Sequence, residues 1–215
     1  MNNLARIEAY SDGVFAIAAT LLVLEIRVPA VGMHAPLGEF WRALADLWPS
    51  YLAFVLSFGI ILIAWVNHHH GIRMLSKTST TFLYANGLLL LTVSFIPFPT
   101  ALLAKYVATE LAPVVVVFYA GASLMCNAAF RVWFAAAQRP VYLLKPEVGR
   151  EQIKRIWAQM NAGILGYTVA AILGWWLPFI GLGIVIVLTI LWIVMSTQHH
   201  PEKENPESSK STGLT

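Results

Sequence analysis

Residues 6–25 read RIEAYSDGVFAIAATLLVLE, an apolar segment opened by an arginine and a Ser-Asp pair. Charge beside a membrane segment is expensive: Arg or Asp at the centre of a spanning helix costs about 2.5–3.5 kcal/mol on insertion scales. Such residues persist where they pair, face the bundle interior or line an ion path. On the apolar part, Ile17, Leu21 and Leu24 recur at i, i+4 and i+7 and so share one helical face, with Thr20 close beside them. A polar mouth followed by a narrow continuous stripe suits a pore wall.

Outward from this segment, the composition sets the class. The chain of 215 residues is 58% hydrophobic and only 12% charged, with mean hydropathy +0.69, against about 25% charge in a soluble domain. The sequence predicts an all-α, polytopic membrane protein. Six stretches reach the roughly 20 apolar residues that a spanning helix needs: 9–28, 49–67, 80–103, 112–136, 158–177 and 179–196. The last two are separated only by the region around Trp175, Trp176, Leu177 and Pro178, which requires a tight hairpin. In the third, SFIPFPT (94–100) places two prolines one residue apart and predicts a bend near the outer end.

With both termini inside, eleven of the fourteen Lys and Arg residues are cytoplasmic and only Arg27, Arg42 and Lys105 are external. This bias predicts an N-in, C-in topology with six spans. It also accounts for the net charge of +3 without a nucleic-acid partner. The first segment reads as a retained helix rather than a cleavable signal, since Asp12 interrupts its approach and no A-x-A-like site precedes Glu25. The lone Cys126 implies no disulfide framework. EFWRALADLW (39–48) reads as a short amphipathic helix on the outer interface, with Phe40, Leu44, Leu47 and Trp48 on one face. Residues 1–198 are expected to form one membrane domain, and the polar 199–215 a disordered cytoplasmic tail.

A second polar cluster, WVNHHH (65–70), ends the second segment at the same membrane level as Arg6, Ser11 and Asp12. The plain alternative for Arg6 and Asp12 is an interfacial anchor and an acid favoured by the helix dipole. Two clusters at one level instead predict a hydrogen-bonded network of Arg6, Ser11 and Asp12 with Trp65, His68 and His69. Asp12 lies about 140° around the helix from Ile17, so it should face neighbouring helices and support the pore. No metal site is expected, because consecutive histidines diverge by about 100° on a helix. Asn86, Asn127 and Asn161 read as interhelical hydrogen-bonding residues. No phosphate loop, HExxH or carboxylate pair points to an enzyme, no cofactor is implied, and LGYTV (165–169) has the wrong order for a TVGYG filter.

Together, Arg6 with Tyr10-Ser11-Asp12, Trp65 with His68-His69, and Asn86-Gly with Phe95-Ile-Pro97-Phe-Pro99-Thr100 resemble the transmembrane protein 175 family across the first hundred residues. The family's signature is R-x-x-x-F-S-D, and Tyr10 here stands where it has Phe. The resemblance implies a potassium-permeable channel, in this case a single-repeat, prokaryotic-type member of the plasma membrane that assembles as a homotetramer. It further implies a pore lined by the first helix, with constrictions at Ile17, Leu21 and Leu24 and Thr20 as the nearby hydroxyl. Apolar rings of this kind gate by dewetting. Selectivity would then rest on pore diameter and partial dehydration, giving a modest preference for potassium over sodium. The alternatives are a secondary cation transporter, which would ordinarily show repeats and broken helices, and a proton-conducting pore through the histidines.

Overall fold

The computed structural model describes residues 3–139 and 142–197. The described residues are helical apart from turns, loops and one isolated antiparallel bridge, Leu75 to Leu144. Eight α-helices follow in order: α1 (Asn3–Leu21), α2 (Leu37–Ala45), α3 (Trp48–Arg73), α4 (Thr80–Phe95), α5 (Pro97–Tyr106), α6 (Ala112–Ala136), α7 (Arg150–Trp176) and α8 (Pro178–Thr197). Six helical segments are long and apolar enough to cross a membrane, with α4 and α5 forming one of them. The expected tail, 199–215, lies outside the described residues.

The boundaries follow local chemistry. Pro49 sits in the first turn of α3, Pro113 in that of α6, and Pro178 opens α8, where a missing backbone N–H costs nothing. Ser79 caps α4, its hydroxyl accepting from the Phe82 amide at 3.2 Å. The double proline at 97 and 99 breaks the third span at Ile96, as its spacing predicts. The last two spans turn over Leu177 alone, and Gly174 and Gly181 make this possible: a Cβ on Gly181 would lie 2.6 Å from the Gly174 Cα.

Several expected boundaries shift. α1 begins at Asn3 and ends at Leu21, after which Leu22–Glu25 winds as a 3-10 turn. α3 runs on through the histidines to Arg73, and α7 starts eight residues before the apolar stretch, at Arg150. Both extensions carry polar residues past the hydrocarbon, which hydropathy alone cannot register. α2 ends at Ala45; Leu47 lies in the following turn and Trp48 begins α3, so neither belongs to the amphipathic helix.

Buried side chains form two clusters stacked along the bundle. One, at the end bearing the basic loops, gathers Phe15 of α1, Phe82 and Leu89 of α4, and Trp133 and Phe134 of α6. It is closed by the loop carrying Leu143 and Leu144, whose backbone pairs with the α3–α4 linker through Ser76 N to Leu143 O and Lys145 N to Met74 O, each 2.8 Å. The other, toward the opposite end, gathers Ala53, Leu103, Val116, Tyr119 and Val185. There the Ser57 hydroxyl lies 2.7 Å from the Tyr119 hydroxyl and accepts from that of Thr100, also at 2.7 Å, joining α3, α5 and α6.

Candidate functional site: the first helix and its anchor

α1 has two faces. Ile7, Ser11, Phe15, Ala18 and Leu22 recur at helical spacing and are buried against α3, α4 and the start of α5. The opposite face, through Arg6, Tyr10, Gly13, Ile17, Thr20 and Leu24, is exposed. Ile17 is 63% exposed, Leu21 43% and Leu24 68%. An apolar helix with one side free needs a cover, either lipid or another copy of the chain. Thr20 donates its hydroxyl to the Ile17 carbonyl at 2.9 Å, which leaves the lone pairs of its oxygen facing outward.

The buried face is bolted to the bundle by polar contacts. Ser11 is fully buried and its hydroxyl accepts from Asn86 Nδ2 of α4 at 3.1 Å. The Asn86 carbonyl oxygen in turn accepts from the Trp133 indole of α6 at 3.0 Å and meets His68 Nε2 of α3 at 2.9 Å. With Asn86 Oδ1 as acceptor, His68 donates through Nε2, and its buried Nδ1 has no partner among the described residues. The His68 ring lies between Phe15, at 5.4 Å, and Trp133, at 5.5 Å. Four helices meet at one carboxamide. Gly71 completes the fit: a Cβ there would come within 2.5 Å of the Trp133 ring.

A second contact group sits nearer the helix end. The Trp65 indole donates to Asp12 Oδ1 at 2.9 Å. His69 Nδ1 lies 3.0 Å from Glu8 and its ring stacks on Trp65 at 5.9 Å. The expected network is therefore divided. Ser11 and His68 join through Asn86; Asp12 pairs with Trp65; His69 pairs with Glu8. Arg6 is exposed, and among the described residues no ion pair joins it to Asp12. Six residues of helix separate them by about 9 Å along the axis, too far for a close pair within one helix.

Sequence reasoning reached Asn86 as an interhelical hydrogen-bonding residue but left Glu8 and Trp133 out of the network. Glu8 precedes His69 by sixty-one residues, and no local pattern joins them. Trp133 carries one usable clue: a buried indole needs an acceptor for its N–H. The two other asparagines differ. Asn161 accepts from Arg131, which also stacks on Trp157 at 5.0 Å, whereas the Asn127 carboxamide packs against Gly163. Among the described residues no group of three or more His, Cys, Asp and Glu is placed to hold a metal ion.

The exposed stripe on α1 and the Ser11, His68 and Asn86 side of the knot behind it fall within the stretch that a known family model matches. Residues 6–97 match the family model described as endosomal/lysosomal potassium channel TMEM175. A potassium channel of Chamaesiphon minutus is 44% identical over 192 residues, covering 89% of this chain and 94% of that protein. The chain belongs to the TMEM175 family. A potassium channel of Streptomyces collinus is 38% identical over 168 residues, 78% of this chain and 80% of the other. The crystal structure of a lysosomal potassium-selective channel TMEM175 homologue from Chamaesiphon minutus superposes with a TM-score of 0.78 at 42% identity. It covers 90% of this chain and 97% of that one. With about nine-tenths of the chain covered, the relationship to bacterial TMEM175 proteins extends well beyond the signature residues.

Proposed function

We propose that this TMEM175 protein is a potassium-permeable cation channel of the plasma membrane, formed by four copies with α1 at the central axis. One observation carries the reading: α1 is fixed to its own bundle along Ser11, Phe15, Ala18 and Leu22 while Ile17, Thr20, Leu21 and Leu24 stand free on the other side. A single stripe cannot enclose a path, but four can. The naming of the Chamaesiphon and Streptomyces relatives as potassium channels supports the choice of ion.

Around such an axis, Ile17 and Leu21 form successive apolar rings. The 3-10 turn adds a ring at Leu24 in closer register: three residues make a full turn of 3-10 helix but only about 300° of α-helix, so Leu24 stacks nearly over Leu21. Rings of branched apolar side chains exclude water until they widen, which provides the gate. Between them the outward lone pairs of Thr20 offer the nearest polar contact for a partly dehydrated ion. Backbone carbonyls of α1 are spent on its own hydrogen bonds, so discrimination rests on diameter and dehydration and is modest. Asp12, turned toward Trp65, supports this wall without touching the ion.

Purified protein in a planar bilayer under opposed potassium and sodium gradients tests the reading. A single-channel current whose reversal potential lies on the potassium side of zero is expected. Transport that stops when a proton or sodium gradient is removed, with no channel current, would identify a coupled transporter instead.

A further inference from the structure

A cavity of about 650 Å³ opens between α3, α6, α7 and α8, on the side of the bundle away from α1. α7 and α8 have no substantial packing against α1, so the cavity faces lipid in the assembly proposed above. Its volume lies within the range of ligand-binding pockets. It runs from Arg155 near the start of α7 to Tyr167 twelve residues on, about 18 Å of helix. That depth is close to one leaflet of a hydrocarbon core about 30 Å thick.

The chemistry changes along this depth. The inner part is walled mainly by Ile60, Ala64, Phe130, Tyr167 and Trp192, with Ser123 and Asn127 as its polar members. The mouth carries Arg73 and Arg155, both exposed and neither in a hydrogen bond or ion pair among the described residues. Glu151, also at the mouth, is answered by Lys154 at 2.8 Å. The mouth therefore has two uncompensated guanidinium groups above a mainly apolar shaft. Guanidinium binds phosphate oxygens in a fork, with charge-assisted hydrogen bonds. The mouth also lies at the end of the bundle with the basic loops, which the positive-inside bias places in the cytoplasmic leaflet.

We propose that this cavity is a binding site for one acyl chain of an anionic phospholipid of the cytoplasmic leaflet, its phosphate held by Arg73 and Arg155. The polarity of the site matches the lipid's own orientation, with headgroup at the interface and chain toward the midplane. The Trp133 ring forms part of the wall, so the occupant rests against the same indole that holds Asn86 and, through it, α1.

Binding is separable from the channel reading because it is measured without current. The full chain, purified in detergent, is mixed with palmitoyl-oleoyl phosphatidylglycerol or with phosphatidylcholine of the same chains, and retained lipid is counted by native mass spectrometry. At least tenfold preferential retention of phosphatidylglycerol is expected. Arg73→Gln with Arg155→Gln should reduce it to the phosphatidylcholine level, while Arg73→Lys with Arg155→Lys should keep a preference. Melting temperature and elution volume of both variants identify any misfolded sample. Equal retention of the two lipids by the unsubstituted protein would overturn the proposal, as would an unchanged preference in the glutamine variant. Displacement of phosphatidylglycerol by millimolar inorganic phosphate alone would also overturn it, since that would make the mouth a simple anion site without a chain.

Discussion

At the scale of single residues, Asn86 is the point on which α1 depends. Its carboxamide uses one donor and one acceptor to satisfy Ser11, His68 and Trp133 from three other helices. Asn86→Leu keeps the volume and removes every bond, stranding the Trp133 and His68 donors at about 1–3 kcal/mol each. A clear drop in melting temperature and loss of the native oligomer on size exclusion are expected; a normal melt would show that packing around Trp133 suffices. Asp12 is a different case. The sequence places it in one network with Arg6, and pairing with that charge in a buried setting would make its neutralisation costly. In the structure it is half-buried and accepts from a neutral indole. Asp12→Asn keeps a carbonyl oxygen in the same place and should cost no more than about 1 kcal/mol, the ordinary net worth of one hydrogen bond. Trp65→Phe, which removes the donor altogether and leaves the half-buried Asp12 carboxylate without it, should cost more. Thermal melts of the two variants side by side check the order. Asp12 and Trp65 were legible as partners because both end apolar segments at one membrane level. Trp133 was not, because its acceptor lies 47 residues away across the bundle.

At the scale of elements, apolar length located every span and proline located the breaks, but neither fixed where helices stop. Pro97 and Pro178 fall where the chain turns, because a missing N–H and a fixed φ act locally. The extra turns at the start of α1, the end of α3 and the start of α7 are polar, and their helicity comes from continuing an existing helix rather than from hydropathy. The 3-10 winding after Leu21 was equally illegible, since the residues Leu22–Glu25 carry no breaker. The α7–α8 hairpin shows what small residues contribute. Gly174 and Gly181 let two backbones approach closely just beyond a one-residue turn, and Gly181 also faces the Ala170 carbonyl. Gly181→Val would force these helices apart at the head of the hairpin. The expected result is a destabilisation of about 1–3 kcal/mol, typical of overpacking, with early proteolysis at the 176–178 turn. Gly183→Ala, where no atom stands within 4 Å of a new Cβ, is the matched control and should melt normally.

At the scale of the whole molecule, the exposed side of α1 decides between a lone bundle in lipid and a shared axis. Cysteine at Leu24, on a Cys126→Ala background, should form disulfide-linked dimers between copies when oxidised in native membranes, and a pore-permeant thiol reagent should block current. Absence of both crosslink and block would show that α1 does not lie at the axis. The proposed rings are open to a sharper test. Ile17 presents a branched apolar side chain, and a constriction of four such groups is closed to water before it is closed by contact. Ile17→Asn changes polarity with little change in reach, so it should hydrate the ring and raise current. Because the discrimination proposed here depends on partial dehydration, the same variant should lose part of its potassium preference, moving the reversal potential toward zero under opposed gradients. Leu21→Ala and Leu24→Ala remove volume instead and should act in the same direction through diameter. If Ile17→Asn raised current while leaving the reversal potential in place, gate and filter would be different structures, and the filter would have to be sought away from these rings. Unchanged current in all three variants would place the constriction outside α1 altogether.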